Sequence, residues 1–519
     1  MRPSSVVALL ICGLSLPTPA VGAAERPNIV VILVDDMGWS DISCYGGEIP
    51  TPNIDALANN GLRFTQFYNT GRCCPTRASL LTGQYSHQVG IGDMTGDKGP
   101  KHPGYRGFLN HDCVTLGEVL RPAGYATLTT GKWHVGHKDP SMRPLQRGFD
   151  RYYGVPEGGG FYYRPKKGRS ILLDNDVLYT AAQLPPEDWY TTDAWTDFGL
   201  KFVNEAIDAK RPFLLYLAHN APHFPLQAPD ADIERYRGQY MAGWDDLRAA
   251  RFARQKEMGL ISADWGMSPR PDAVVAWESL SNKEQRDFDQ MMAIYAAVMD
   301  RMDQSVGRLV QGLKERGVLD NTLILFMSDN GGTAEGGPRG RMNGTHPGDA
   351  DSDVYYGQPW ATLSNTPFRR YKMHNHEGGI ATPLIAHWPQ QIKAAGELRH
   401  QVCHVIDIMP TLVEVSGAAY PSERAGHSIY PMEGVSLLPA FRNEQLSDRP
   451  LFWEHEGAAA VRDGDWKLVR AGAKSDWELY NLITDRTELH NLADQHPERA
   501  RQLKQQWLAW AERVHVIGR

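Results

Sequence analysis

The stretch Asn28-Ile-Val-Val-Ile-Leu-Val34, followed at once by Asp35-Asp36-Met37-Gly38, decides how this chain folds. It is apolar without interruption, rich in β-branched residues and short, so it reads as a strand covered on both faces. Four more runs resemble it. Tyr125-Ala-Thr-Leu-Thr129 leads into Thr130-Gly131-Lys132-Trp133-His134, and Phe213-Leu-Leu-Tyr-Leu-Ala218 into His219-Asn220-Ala221-Pro222-His223. Thr322-Leu-Ile-Leu-Phe-Met327 leads into Ser328-Asp329-Asn330-Gly331-Gly332. Ala381-Thr-Pro-Leu-Ile-Ala386 reverses the order, with Lys372 and Glu377-Gly378-Gly379 before it. Helical stretches at residues 112–122, 196–210 and 285–316 separate the runs. Together they predict an α/β fold with a large, mostly parallel sheet sandwiched by helices. Ligands gather at the carboxyl ends of strands in such sheets, and four of the five runs place their reactive residues there.

Beyond the last run the character changes. Residues 451–454, 458–462, 466–470 and 477–481 are short strand candidates joined by Gly and Asp turns, and residues 497–514 form a closing helix. A small C-terminal antiparallel sheet with one packed helix is expected over residues 441–519, after an α/β domain over 25–440. Residues 225–282 and 333–365 are long and polar, and loops of that length in a compact domain are usually functional or mobile. At the other end, residues 1–24 read as an export signal. Arg2 gives a positive start, Val6 to Leu16 is apolar, and the small residues Ala20, Gly22, Ala23 and Ala24 follow. The expected location is secreted or periplasmic. No other segment is long and apolar enough to span a bilayer.

Of 519 residues, 42% are hydrophobic and 22% charged, an ordinary globular composition, and the net charge of -7 offers no basic footprint for nucleic acid. Cys12 would leave with the signal. The five remaining cysteines, Cys44, Cys73, Cys74, Cys113 and Cys403, are odd in number, so at least one is unpaired or chemically special.

Asp35-Asp36 and Asp329-Asn330 each end a predicted strand. Alone, either pair is a turn or cap signal. Side by side in one sheet they would offer four oxygen-bearing side chains, a set that favours a hard cation, calcium or magnesium, over zinc. In Thr70-Gly71-Arg72-Cys73-Cys74-Pro75-Thr76-Arg77, Pro75 fits the first position of a helix, which would put Cys73 just before a helix N-terminus. The free N–H groups there attract anions, and Arg77 adds a fixed positive charge.

Cys73-x-Pro75-Thr76-Arg77, with Leu81-Thr82-Gly83 behind it, resembles the signature of the type I, formylglycine-dependent sulfatases, arylsulfatase-like members of the alkaline-phosphatase superfamily. Asp35-Asp36, Gly131-Lys132-x-His134, Ala221-Pro222-His223, Asp329-Asn330-Gly331 and Lys372 with Glu377-Gly378-Gly379 match the same family in order. Gln84 departs from the Arg or Lys that usually follows Thr-Gly. The resemblance implies an alkaline-phosphatase-like fold and a sulfuric ester hydrolase whose Cys73 is oxidised to formylglycine (3-oxoalanine) by a formylglycine-generating enzyme. It implies that Asp35, Asp36, Asp329, Asn330 and the modified Cys73 bind calcium, in preference to magnesium. It also implies that the hydrated aldehyde attacks sulfur, and that sulfate is expelled when His134 takes the proton of the remaining hydroxyl. Arg77, Lys132 and Lys372 would hold the sulfate oxygens, and His223, with Lys372 beside it, would protonate the leaving oxygen. His374 and His376 flank this set. The substrate implied is a sulfated saccharide first and an aryl sulfate second. Two rival readings share the fold: a phosphonate monoester or phosphodiester hydrolase, and a catalytically silent binder of sulfated glycan.

Overall fold

The computed structural model of the protein describes residues 26–518. The predicted export signal and Cys12 lie outside the described residues. The central sheet is built from β1 (Asn28–Val34), β2 (Leu62–Tyr68), β3 (Ala126–Lys132), β4 (Arg151–Val155), β5 (Ser170–Leu173), β6 (Asp176–Thr180), β7 (Phe213–Ala218) and β8 (Thr322–Ser328). A separate ladder of β9 (Arg341–Asn343) and β10 (Asp353–Tyr355) follows, and β11 (Ala381–His387), β12 (Glu397–Arg399) and β13 (Cys403–His404) complete the sheet. Its order is β12-β2-β11-β8-β1-β7-β3-β4-β5-β6, with β13 also paired to β2.

The strands β8, β1, β7, β3 and β4 run parallel. Alternate residues of these strands fall into two separate cores. Val30, Ile32, Leu215, Leu217, Ile324 and Phe326 join the apolar cluster that includes the helices Asn282–Glu315 and Thr191–Asp208. Ile29, Val31, Leu214, Tyr216, Leu323 and Leu325 join the cluster that includes the helices Cys73–Thr82 and Ile408–Ser416. Both faces are therefore covered, which is why the strands show no polar alternation. Truncating one of these side chains, as in Leu325→Ala, costs about 2–5 kcal/mol.

β11 is the exception in direction. It runs antiparallel to both neighbours, β8 and β2. Its leading end therefore meets the carboxyl ends of β1, β3, β7 and β8. That reversal explains why its reactive residues precede it in sequence.

Helix boundaries differ from the sequence expectation in places. The helix predicted over 112–122 is only Leu116–Leu120, because Thr115 stops it with a capping box to Glu118. The long helix starts earlier than predicted, at Asn282, where Ser281 and Glu284 form a second capping box. The polar stretches are not bare loops. The first holds the helix Gly243–Glu257, and the second holds β9, β10 and the helix Gly357–Ser364.

The C-terminal sheet is antiparallel as expected: β16 (Leu451–His455), β17 (Ala458–Asp463), β18 (Trp466–Arg470) and β19 (Glu478–Asn481), after a small hairpin of β14 (Glu423–Arg424) and β15 (His427–Ser428). The helix Pro497–Arg513 packs on it through Trp507 and Trp510. Glu377, at the leading end of β11, ties this sheet to the central one. Its buried carboxylate accepts from Lys467 Nζ (2.8 Å), Arg486 Nε (2.7 Å) and Tyr68 Oη (2.8 Å). Burial alone would raise the Glu377 carboxyl, but Lys467, Arg486 and Arg462 outweigh it and hold it at about 2.

Candidate active site

The carboxyl-end rim of the sheet brings the predicted residues together. The helix Cys73–Thr82 begins with Cys73 itself, so Cys73 is the first helical residue rather than the one before it, and Pro75 is third. Pro75 still lies in the first turn, where its missing N–H costs no helical bond. Every residue of this helix is buried. Cys73 Sγ lies 3.6 Å from His134 Nδ1. A hydrogen bond from Cys74, with the charge of Lys132 and a hydrogen bond from His134, holds the Cys73 thiol well below its ordinary range against the effect of burial. Burial, aided by the Lys132 ammonium, pushes His134 down to about 4, so the imidazole is neutral at pH 7.

Two close backbone approaches explain motif glycines. Gly131 has φ 96°, and a Cβ there would lie 1.9 Å from Ala218 O on β7. A Cβ on Gly331 would lie 1.9 Å from Gly378 O, where the ends of β8 and β11 meet. Asp36 and His134 take φ of 68° and 57° without being glycine. Such backbones are uncommon and cluster at functional sites.

The charged groups interlock. Lys132 Nζ donates to Asp35 Oδ2 at 2.6 Å, and Lys372 Nζ donates to Asp36 Oδ2 and Glu335 Oε2, both at 2.9 Å. Arg77 donates to Asp329 Oδ2 through Nε (3.1 Å) and Nη2 (2.7 Å), and to Lys132 O at 2.9 Å. Asn330 Nδ2 donates to Asp36 Oδ1 at 2.7 Å. His223 Nδ1 lies 2.5 Å from Phe224 O, a contact that assigns its proton there. His223 Nε2 then accepts from Lys372 Nζ (3.4 Å), with Asp36 Oδ2 3.5 Å away.

The oxygens fit a hard cation. Asp35, Asp36 and His223 offer donor atoms all within 4.8 Å of one another. Among the described residues, Asp35 Oδ1 and Asn330 Oδ1 are buried with no hydrogen-bond partner, an arrangement that is costly unless a ligand completes it. Burial and the nearby Asp35 carboxylate push Asp329 well up, the mark of carboxylates crowded together. The donor set is oxygen-rich, as calcium or magnesium requires.

A cavity of about 330 Å³ opens onto Cys73, Lys132, His134, His223 and Lys372. That volume suits a small-molecule site. A larger cavity of about 610 Å³ lies at the opposite, amino end of β1 and β7 and contains none of these residues.

The sulfatase family profile matches residues 27–418 of this frame. The chain belongs to the sulfatase family. A second profile, described as N-sulphoglucosamine sulphohydrolase, C-terminal, matches residues 368–512. An uncharacterised sulfatase of Schizosaccharomyces pombe is 34% identical over 537 residues, covering 95% of each chain. An arylsulfatase of Klebsiella aerogenes is 35% identical over 428 residues, covering 80% of this chain and 91% of its own. The crystal structure of Ps i-CgsB in complex with k-i-k-neocarrahexaose is 27% identical, with a TM-score of 0.68 over 94% of this chain and 93% of that one. The protein is a sulfuric ester hydrolase with the alkaline-phosphatase-like fold.

Some of the sulfatase's site is not visible in its sequence. Glu335, in the polar stretch after β8, grips Lys372, and Arg72, Phe224 and Tyr355 help line the cavity. Adjacency to Cys73 and to His223 marks Arg72 and Phe224. Nothing marks Glu335 or Tyr355. His374 and His376 do not line the cavity. His376 is buried and faces Glu478 at 3.4 Å instead. The cysteines Cys44, Cys73, Cys74, Cys113 and Cys403 are all buried free thiols.

Proposed function

We propose that this sulfatase uses formylglycine made from Cys73 as its nucleophile, with calcium at Asp35, Asp36, Asp329 and Asn330, and that it removes sulfate from a sulfated saccharide. The observation that carries the reading is the placement of Cys73 at a helix start, beside a buried oxygen cluster with two unpartnered oxygens and against Lys132, His134, His223 and Lys372. Calcium, when bound, favours the ionised form of an adjacent hydroxyl. The Cys73 aldehyde, when hydrated, supplies the attacking oxygen and a second hydroxyl through which sulfate can leave.

The chain's own groups do the rest. Three carboxylates, Asp35, Asp36 and Asp329, already pair with Lys132, Lys372 and Arg77. An added divalent ion leaves the pocket net positive, and an anionic sulfate ester matches that charge. Lys132 and Lys372 turn their ammonium groups to sulfate oxygens, while Arg77, held by Asp329, fixes the floor. His134, neutral at pH 7, accepts a proton at Nδ1 from the residue-73 side chain. His223 Nε2 is the ring nitrogen beside Lys372 Nζ, at 3.4 Å; when protonated there the histidine gives that proton to the departing oxygen and returns to the neutral ring, and the neighbouring Lys372 ammonium favours that loss. The saccharide reading draws support from the carrahexaose complex of the structural relative, and an aryl sulfate remains the second substrate class. Export through residues 1–24, to the periplasm or beyond, fits a polymer-derived substrate.

The test combines two measurements on one preparation. Peptide mass analysis should find residue 73 about 18 Da lighter than cysteine in active protein, as the thiol-to-aldehyde change requires. That protein should turn over 4-nitrophenyl sulfate faster than bis(4-nitrophenyl) phosphate. Full activity with an intact thiol overturns the nucleophile, and preference for the phosphate diester overturns the substrate class.

A further inference from the structure

The cavity that exposes Cys73 has more positive charge at its mouth than one sulfate ester can use. Lys132 and Lys372, deep inside, already hold carboxylates. Lys166 and Arg169 line the same cavity nearer solvent, and among the described residues neither has a carboxylate within ion-pair distance. The acid whose charge acts most on Lys166 is Asp353, which is taken by Arg341 at 3.1 Å. Arg169 donates to a backbone carbonyl, Glu157 O, at 2.6 Å, while the Glu157 carboxylate is used by Ser170. Lys166 is exposed at the cavity mouth, and partial desolvation there, opposed by Asp353, holds its ammonium below its ordinary value.

A loop rich in Lys and Arg is usually a solvated face, and Lys167 fits that description. Their position on the catalytic cavity sets Lys166 and Arg169 apart. They share the wall of the catalytic cavity, where Arg72 Nη1 is buried without a hydrogen-bond partner among the described residues and Glu335 Oε1 is 4.0 Å away. Lys166, with Lys167, also lines a second cavity of about 340 Å³, so the concave surface continues outward past it.

We propose that Lys166 and Arg169 form a second anion subsite, so that the substrate is a saccharide carrying at least one further acidic group beside the sulfate that is cleaved. The inference rests on the sulfatase reading of Cys73. The cleaved sulfate lies against Cys73, Lys132 and Lys372, and the second anion lies at the mouth. Either a second sulfate or a uronate carboxylate has the required chemistry, since both accept charge-assisted hydrogen bonds from Lys and Arg.

The test uses inhibition of 4-nitrophenyl sulfate turnover by three disaccharides: one with a single sulfate, one with two sulfates, and one with a sulfate and a uronate. In the wild-type enzyme the doubly charged inhibitors should bind about tenfold tighter than the singly charged one at low salt. In Lys166→Ala/Arg169→Ala that ratio should fall to within about twofold of unity, whereas Lys166→Arg should preserve it. The ratio is taken within each variant, so it does not depend on how much turnover the variant retains. Tighter binding of only one doubly charged inhibitor identifies the second group as sulfate or carboxylate. Equal binding of all three by wild type, or an unchanged ratio in the double variant, overturns the subsite. Absence of 4-nitrophenyl sulfate turnover by protein carrying the aldehyde instead overturns the reading of Cys73 beneath it.

Discussion

Glu377→Gln removes one charge from a buried cluster and should cost about 3 kcal/mol of stability at pH 7. The magnitude comes from two routes. Glu377 sits at about 2 in the folded protein against an ordinary 4.5, and each pH unit of that difference is worth about 1.4 kcal/mol, so the charged form contributes about 3 kcal/mol. Independently, removing one partner of a buried ion pair typically costs about 3–5 kcal/mol, because the other charge is left unpaired. Here Lys467 keeps Glu488 Oε1 at 2.9 Å, which favours the lower figure. The sign is fixed by the depressed value. The contribution is full above pH 4.5 and is lost as pH falls toward 2, so wild-type stability should drop through that window. The assay is urea unfolding followed by tryptophan fluorescence at pH 7 and at about pH 3.5, inside that window. The variant should have a lower midpoint at pH 7 and a smaller loss between the two pH values. A midpoint change worth under about 1 kcal/mol, or equal losses in both proteins, would show that the cluster is not what joins the two sheets.

Cys73→Ala should abolish sulfate-ester turnover while leaving the circular dichroism spectrum unchanged; comparable activity would end the nucleophile assignment. Chelation should remove activity and added calcium should restore it better than magnesium, measured as 4-nitrophenyl sulfate turnover before and after metal replacement. His134→Gln should lower kcat by about 10²- to 10⁴-fold with a much smaller change in KM, as expected for loss of a proton acceptor in the reaction. Gly131→Ala should prevent soluble accumulation, because its Cβ would sit 1.9 Å from Ala218 O and its φ of 96° is strained for alanine; a soluble variant with wild-type thermal stability would contradict that packing.

Much of the sheet is legible in the sequence because burial on both faces strips polar residues from β1, β7 and β8. The position of most site residues is legible too, since parallel strands deliver their C-terminal loops to one rim. Strand direction is not written in an apolar run, and β11 shows it: only the order of Lys372 before the run hints at reversal. The helix Gly243–Glu257 is hidden for another reason. It buries Arg248 and Arg251 rather than an apolar stripe, the first on Ser268 and the second on Glu48 and Asp41. Hydrophobic periodicity cannot register a face satisfied by hydrogen bonds. Glu335 escapes notice because its partner, Lys372, is distant in sequence and meets it only when the chain returns to the rim.

The reversal of β11 has a consequence for how such an enzyme can diversify. Residues 329–380 leave the central sheet from β8 and re-enter it at the adjacent, oppositely directed strand, so departure and return occur at one edge. No crossover has to traverse a face of the sheet. Segments within this excursion, including the one that presents Glu335 and Tyr355, can therefore be lengthened, shortened or exchanged without re-threading the barrier between the two cores. Selectivity can drift while the frame that carries Asp35, Asp36 and Asp329 stays still.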